Sequence, residues 1–178
     1  MPLSVRTPRL EVVASTGDSA AMEMRSVDDL AGLLAVPCPS DWPPPLNDAA
    51  SQQWNVDMLR RDPDALGWGM WYIVAVAPTR VLVGNIGFKG RPTNRSCEIG
   101  YSVLPPFQSR GYATEASRAL IAWAFSHSDV DRVTAETLPD LIASIRVMEK
   151  CGMCFAGDGK PEAGIRTMRY EVLRPGKR

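Results

Sequence analysis

The spacing of apolar positions along the chain changes several times, and each change predicts an element. Arg9 to Ala14 (RLEVVA) is a short β-branched run directly after Pro8, which predicts a first strand. From Ser19 to Leu34 the residues Ala21, Met24, Val27, Leu30, Leu33 and Leu34 recur at three- and four-residue steps. That period predicts one helix broken near Ser26, or two short ones, with Asp18 and Ser19 as caps. Val36 to Asn47 carries five prolines, which forbid regular structure, and sets Trp42 on a stiff loop. Asp48 to Arg61 reads as helix again, with Ala50, Trp54, Met58 and Leu59 along one side.

From Met70 the period shortens. Trp71–Ala77, Val81–Phe88 and Cys97–Val103 are aromatic or β-branched runs joined by short turn-rich segments, the pattern of an antiparallel meander. Pro105-Pro106 ends the last of them. Gly111 to Ser126 predicts a helix whose Ala113, Ala116, Leu120, Trp123 and Ala124 share a face packed on the sheet. Arg132–Thr137 reads as a fifth strand, Ala143–Cys151 as a helix stopped by Gly152, Met153–Ala156 as a further strand and Met168–Leu173 as the last. Clustered strands followed by strand, helix, strand imply an α+β fold with mixed strand directions. The expected organisation is one domain over residues 1–178, with a helical lid at about 18–62 and a core at about 70–173.

Charge narrows the class. Lys plus Arg and Asp plus Glu each total 20, so no net field recruits nucleic acid or an anionic membrane. The N-terminus lacks a basic segment followed by an apolar run, and no stretch has the length of a membrane span, so a cytoplasmic protein is expected. Cys38, Cys97, Cys151 and Cys154 fit that compartment as buried reduced thiols. C-G-M-C at 151–154 lacks a second ligand pair and the single histidine, His127, sits at a helix end, so no metal site is expected.

The stretch that carries chemistry is CEIGYSVLPPFQSRGYATEA, residues 97–116. A strand feeding a helix through small residues exposes the unpaired amides and positive dipole end of the first turn, which attract a phosphate. Gly111 lets a ligand approach the backbone and Ala113 keeps the turn slim. An ordinary strand-to-helix turn has the same composition.

Gln108-Ser109-Arg110-Gly111-Tyr112-Ala113 resembles the Q/R-x-x-G-x-G/A signature of the GNAT N-acetyltransferases. The longer string from Glu98 to Ala116 is similar to the branch that acetylates ribosomal-protein N-termini. Thr7-Pro8-Arg9-Leu10, Val83 to Phe88, and Ala143 to Met153 match in the same order, so the resemblance is dense from Val81 to Met153 and thin before it. It implies a mixed sheet with helices on both faces, whose fourth and fifth strands splay apart around the arm of acetyl-CoA, the acyl donor. Gln108, Ser109, Arg110, Gly111, Tyr112, Ala113 and Thr114 would wrap the diphosphate, and Ser102, Val103 and Leu104 would pair with the pantetheine amides. A backbone N–H of the fourth strand would polarise the thioester.

The activity so implied is acetyl transfer to an amine, a protein N-terminus or a small molecule, by direct attack in a ternary complex. A non-catalytic acyl-CoA-binding module is the alternative. Glu98, on the strand bordering the gap, is the expected base, and a solvated or ion-paired glutamate is the plainer reading. Ser144 would assist the departing sulfur, or simply cap its helix. Leu141 stands where many relatives carry an asparagine that contacts the cofactor arm, and offers no amide. Trp42 would line the acceptor site, unless it is a packed loop anchor. The acceptor is not legible, and a homodimer through a self-paired edge strand stays open.

Overall fold

The computed structural model describes residues 3–161 and 164–176. Eight strands form one sheet in the order β1-β2-β3-β4-β5-β6-β8-β7. They are β1 (Ser4–Arg6), β2 (Leu10–Ala14), β3 (Met70–Ala75), β4 (Val81–Phe88), β5 (Ser96–Val103), β6 (Arg132–Thr137), β7 (Cys154–Asp158) and β8 (Met168–Leu173). The helices are α1 (Gly17–Arg25), α2 (Val27–Leu34), α3 (Ala49–Arg61), α4 (Tyr112–Phe125) and α5 (Ile142–Lys150). All neighbours run antiparallel except β5 and β6, which are parallel and joined by the α4 crossover. The strands expected as fourth and fifth are β5 and β6, because the three-residue β1 precedes the run at Leu10.

Local chemistry accounts for the element ends. Thr16 caps α1 by accepting from the Ser19 amide at 3.1 Å, while Ser19 Oγ accepts from the Thr16 amide at 2.8 Å, a reciprocal box. Ser26 ends α1 and opens α2, its hydroxyl accepting from the amides of Asp28 and Asp29. The expected break is therefore a shared cap.

Side-chain alternation builds two cores. Trp71 and Ile73 point to the face covered by α4 and α5, where they meet Ile86, Ile99, Ala116, Leu120, Val133 and Met148. Tyr72 and Val74 point to the opposite face and pack with Leu30, Val36, Trp42 and Leu82. Each fully buried leucine or isoleucine contributes about 1.5–3 kcal/mol.

Two expectations are corrected. In α3 the buried residues are Asn55, Val56 and Leu59, while Ala50 and Trp54 are exposed. A hydrogen-bond tie outweighs apolar periodicity there: Asn55 Oδ1 accepts from the Met70 amide at 3.0 Å and Nδ2 donates to Ser15 Oγ at 3.2 Å. Of the cysteines only Cys97 is buried, and Cys154 is exposed on the edge strand.

Candidate active site

β5 and β6 pair over three rungs, Ser96–Arg132, Cys97–Val133 and Glu98–Thr134, and then part. Beyond them β5 continues to Val103 against β4 alone, and β6 to Thr137 against β8 alone. The sheet thus opens at the carboxyl ends of two parallel strands, where open sheets with crossover helices place ligands. Register decides which backbone groups face the opening. Lys89 N donates to Glu98 O and Leu104 N to Val83 O, both at 2.9 Å, so the even-numbered residues of β5 are bonded to β4. The main chain of Tyr101 and Val103 faces the gap, whereas that of Ser102 and Leu104 does not. Gln108 Nε2 occupies the Val103 carbonyl at 2.9 Å.

The turn into α4 stands at the mouth of this gap. Ser109 (φ 59°) and Gly111 (φ 79°) adopt left-handed backbone on either side of Arg110, a concave arrangement that turns successive amides inward. Gln108 N bonds Pro105 O, and the first bond of the helix is Glu115 N to Gly111 O. Among the described residues the amides from Ser109 to Thr114 have no acceptor, and no side chain caps Gly111. Six donors at a positive helix end form an anion cradle built from backbone alone.

The Thr7-Pro8-Arg9 segment holds that cradle in place. Glu115 accepts from Thr7 Oγ1 at 2.6 Å and the Arg9 amide at 3.0 Å, and its Oε2 lies 2.6 Å from the Arg9 guanidinium, which also donates to Arg110 O at 3.0 Å. Burial acts to raise the Glu115 pKa, but the bonds from Thr7 and Arg9 outweigh it and hold the carboxyl below its ordinary range.

On the α4 and α5 side, Tyr101 reaches from β5 to the first turn of α5, where its hydroxyl donates to Ser144 O at 2.9 Å and lies 3.2 Å from Ser144 Oγ. Burial raises its pKa to about 12, so the phenol stays protonated. Ser144 is the third residue of α5 and does not cap it; the N-cap is Leu141, exposed and without a capping bond.

The opposite face differs. Gly100 leaves the sheet bare on this face, since a Cβ there would meet only open space, whereas its paired neighbour Gly87 is overlain by the Gly69–Met70 backbone. Glu98 lies at the last closed rung, ion-paired to Lys89 Nζ. Two residues past Thr134 on the same face, Glu136 stands across the opening from Gly100. Its Oε2 accepts from Lys160 N at 3.0 Å and Thr167 Oγ1 at 3.2 Å, and no cation pairs with it among the described residues. Sequence reasoning missed Glu136; the signal was the alternation of Val133 and Ala135, both buried, with Thr134 and Glu136.

Trp42 is buried, its Nε1 donating to Glu23 Oε1 at 3.0 Å and its ring packed against Tyr72, so it anchors the proline-rich loop. Cys97 and Cys151 have pKa values raised by burial to about 12 and about 11. The thiol on β5 and the thiol beside Thr114 are therefore not nucleophilic thiolates.

Comparison with known proteins agrees with this geometry. Residues 17–154 match the model of the acetyltransferase (GNAT) domain. The chain is 34% identical over 97 residues to the uncharacterized N-acetyltransferase YjdG of Bacillus subtilis, covering 54% of this chain and 57% of that protein. It is 32% identical over 111 residues to the FsC-acetyl coenzyme A-N(2)-transacetylase of Aspergillus fumigatus, covering 58% and 45%. The chain thus spans about half the length of the curated relatives it matches. Its fold is shared with RimL, a ribosomal L7/L12 α-N-protein acetyltransferase solved in complex with coenzyme A, at a TM-score of 0.66 and 20% identity over 96% of this chain and 98% of that one. An opened parallel strand pair beside an uncapped helix turn, and a family match over most of the chain, lead to one assignment: the chain belongs to the GNAT acetyltransferase family.

Proposed function

We propose that the protein transfers an acetyl group from acetyl-CoA to an amine by direct attack. The observation that carries this is two sets of amides without an acceptor among the described residues, those of Ser109–Thr114 and the gap-facing ones of β5 beyond its last rung with β6. A diphosphate takes the first and an extended diamide arm the second. The gap-facing amides of Tyr101 and Val103 lie where a thioester carbonyl entering the opening finds a donor. Without a thiolate on β5 or beside the cradle, a covalent acyl-enzyme has no nucleophile there, which supports transfer in a ternary complex.

Deprotonation of the attacking amine falls to a carboxylate on the glycine-floored face. Glu136 suits this role, because Lys160 N and Thr167 Oγ1 hold its carboxyl group in place and no cation pairs with it among the described residues. Glu98 is the second candidate, with Lys89 already compensating its charge. Ser144 is assigned to the leaving sulfur, a reading supported by its hydroxyl lying 3.2 Å from the protonated Tyr101 phenol. The acceptor class is an α-amine or small-molecule amine, since a group of pKa about 7.7–8.0 is partly neutral at pH 7 and needs only a modest base.

The test is thiol release from acetyl-CoA across panels of peptide N-termini and small amines. Glu136→Gln should lower kcat by roughly a hundredfold to ten-thousandfold at unchanged CoA affinity, and Glu98→Gln should retain most of the rate. CoA binding without turnover across both panels would favour the non-catalytic module instead. No helix among the described residues is long and apolar enough to cross a membrane, which is compatible with the cytoplasmic setting we propose. The exposed Phe155 on edge strand β7 supports a homodimer through a self-paired edge, which sedimentation of the free protein checks.

A further inference from the structure

Asn85 is a buried side chain that the fold leaves half bonded. The residue is only 7% exposed, yet its Nδ2 donates to nothing better than the Met70 sulfur, at 3.2 Å, and a thioether is a weak acceptor. Its Oδ1 accepts from no described residue and still meets solvent. Asn55, by contrast, uses both ends of its amide within the protein. A buried amide without full partners calls for a reason. Its placement supplies one. Val83 is an extra residue of β4 opposite Ile73 and Val74, and this bulge turns Asn85, paired with Tyr72, onto the face away from α4 and α5. Directly across on β5, Ser102 shares that face, and its hydroxyl also lacks a hydrogen-bond partner among the described residues. The two side chains adjoin the bare position at Gly100, two residues back along β5.

We propose that Asn85 and Ser102 form an acceptor subsite that hydrogen-bonds a carboxamide next to the reacting amine, so that the enzyme prefers an α-amino amide to a bare alkylamine. The inference rests on the reading of the Gly100 face as the place of attack, with Glu136 across the opening. Two residues of strand span about 7 Å. In an α-amino amide the carbonyl oxygen lies about 3 Å from the amine nitrogen, and a hydrogen bond of about 2.9 Å covers most of the rest. An amine above Gly100 therefore brings its own carboxamide to the Asn85–Ser102 pair. One planar amide offers an acceptor and a donor together, which match the Nδ2 and Oδ1 of Asn85, and the Met70 sulfur is given up at little cost. Charge narrows the ligand further. Both side chains are neutral, Glu98 and Glu136 stand on the same face, and Lys89 is already paired with Glu98, so a free α-carboxylate is repelled where an amide is not.

Thiol release from acetyl-CoA by the full chain, with L-alaninamide and with isopropylamine as acceptors, tests this. The second amine keeps the amine-bearing carbon and replaces the carboxamide with a methyl group. Asn85→Leu keeps the branching of the side chain and removes both polar atoms. It should lower the ratio of kcat/KM for alaninamide to that for isopropylamine by roughly tenfold, the size of a lost hydrogen bond, at unchanged CoA affinity. Ser102→Ala should lower the same ratio severalfold. The different basicities of the two amines cancel when each variant is compared with wild type. Ser102 is half-buried and bonds nothing in the fold, so its variant keeps the result readable if Asn85→Leu fails to fold. A ratio within twofold of wild type in either folded variant, or turnover of other amines but not of alaninamide, would overturn the subsite while acetyl transfer stands. Intact CoA binding with no thiol release for any amine would overturn the transfer reading, and the proposal with it.

Discussion

Replacing Gly111 with alanine separates the backbone cost of the cradle from its binding function. Gly111 has φ 79° and ψ 7°, a left-handed conformation that costs an L-residue about 1 kcal/mol relative to glycine. The new Cβ would lie 3.4 Å from an Arg9 nitrogen, an ordinary contact, so packing adds little. Folding stability should therefore fall by about 1 kcal/mol, a melting shift of about 2–4 °C for a chain of this size. Binding should suffer more, because the methyl occupies the space through which a diphosphate reaches the amides. Loss of one charge-assisted bond, at about 1.5–3 kcal/mol, means a roughly tenfold to hundredfold weaker CoA complex, and loss of two a correspondingly larger defect. Thermal melting and CoA titration on the same preparation read the two effects separately. A variant that melts lower but binds CoA within twofold of wild type would refute the claim that the ligand contacts this turn.

Two further predictions concern carboxylates. Glu115→Gln should cost about 1–2 kcal/mol at neutral pH, discounted for the half-exposed Arg9, and should loosen CoA binding through the freed turn. Because the folded pKa of Glu115 is lowered, its stabilisation is present above the ordinary value of 4.5 and lost as pH falls through the folded pKa. Melting curves of wild type and variant should then converge in acid. Glu23 has the opposite sign: burial raises its pKa against the bonds from Tyr72, Trp42 and Asn47, so its contribution is greatest at low pH and declines as pH rises from 4.5 through the folded value. Glu23→Gln should flatten that decline, and Glu23→Ala, which strands the donors of Trp42, Asn47, Gln52 and Tyr72, should cost about 2–4 kcal/mol in chemical denaturation.

What the chain order discloses follows from the range of the forces involved. The β2–β5 strands, the split at Ser26 and the helix after Gly111 arise from local period and capping, so they are readable from neighbours in sequence. β1 has three residues and no period of its own, since it forms by pairing with β2. Asn55 is buried because its amide satisfies Met70 and Ser15, partners distant in sequence, and apolar counting points instead to the exposed Trp54. Trp42 among prolines reads as an acceptor wall or a packed anchor, and the buried acceptor that Glu23 gives its indole, distant in sequence, decides for the anchor. The signature around Gly111 marks the cradle, whereas the parting of β5 from β6 is a relation between strands, so Glu136 gained a candidate role only once the opening was located. Likewise, the clamp of Thr7 and Arg9 on Glu115 joins residues more than a hundred positions apart.

The most direct test of the central claim is a titration of CoA into uniformly ¹⁵N-labelled protein, followed at individual amides. The account predicts that the largest shifts fall on Ser109 to Thr114 and on the gap-facing amides of Tyr101 and Val103, while Ser102 and Leu104, bonded to β4, move little. Shifts concentrated elsewhere, with the amides of 109–114 unmoved at saturating CoA, would contradict it.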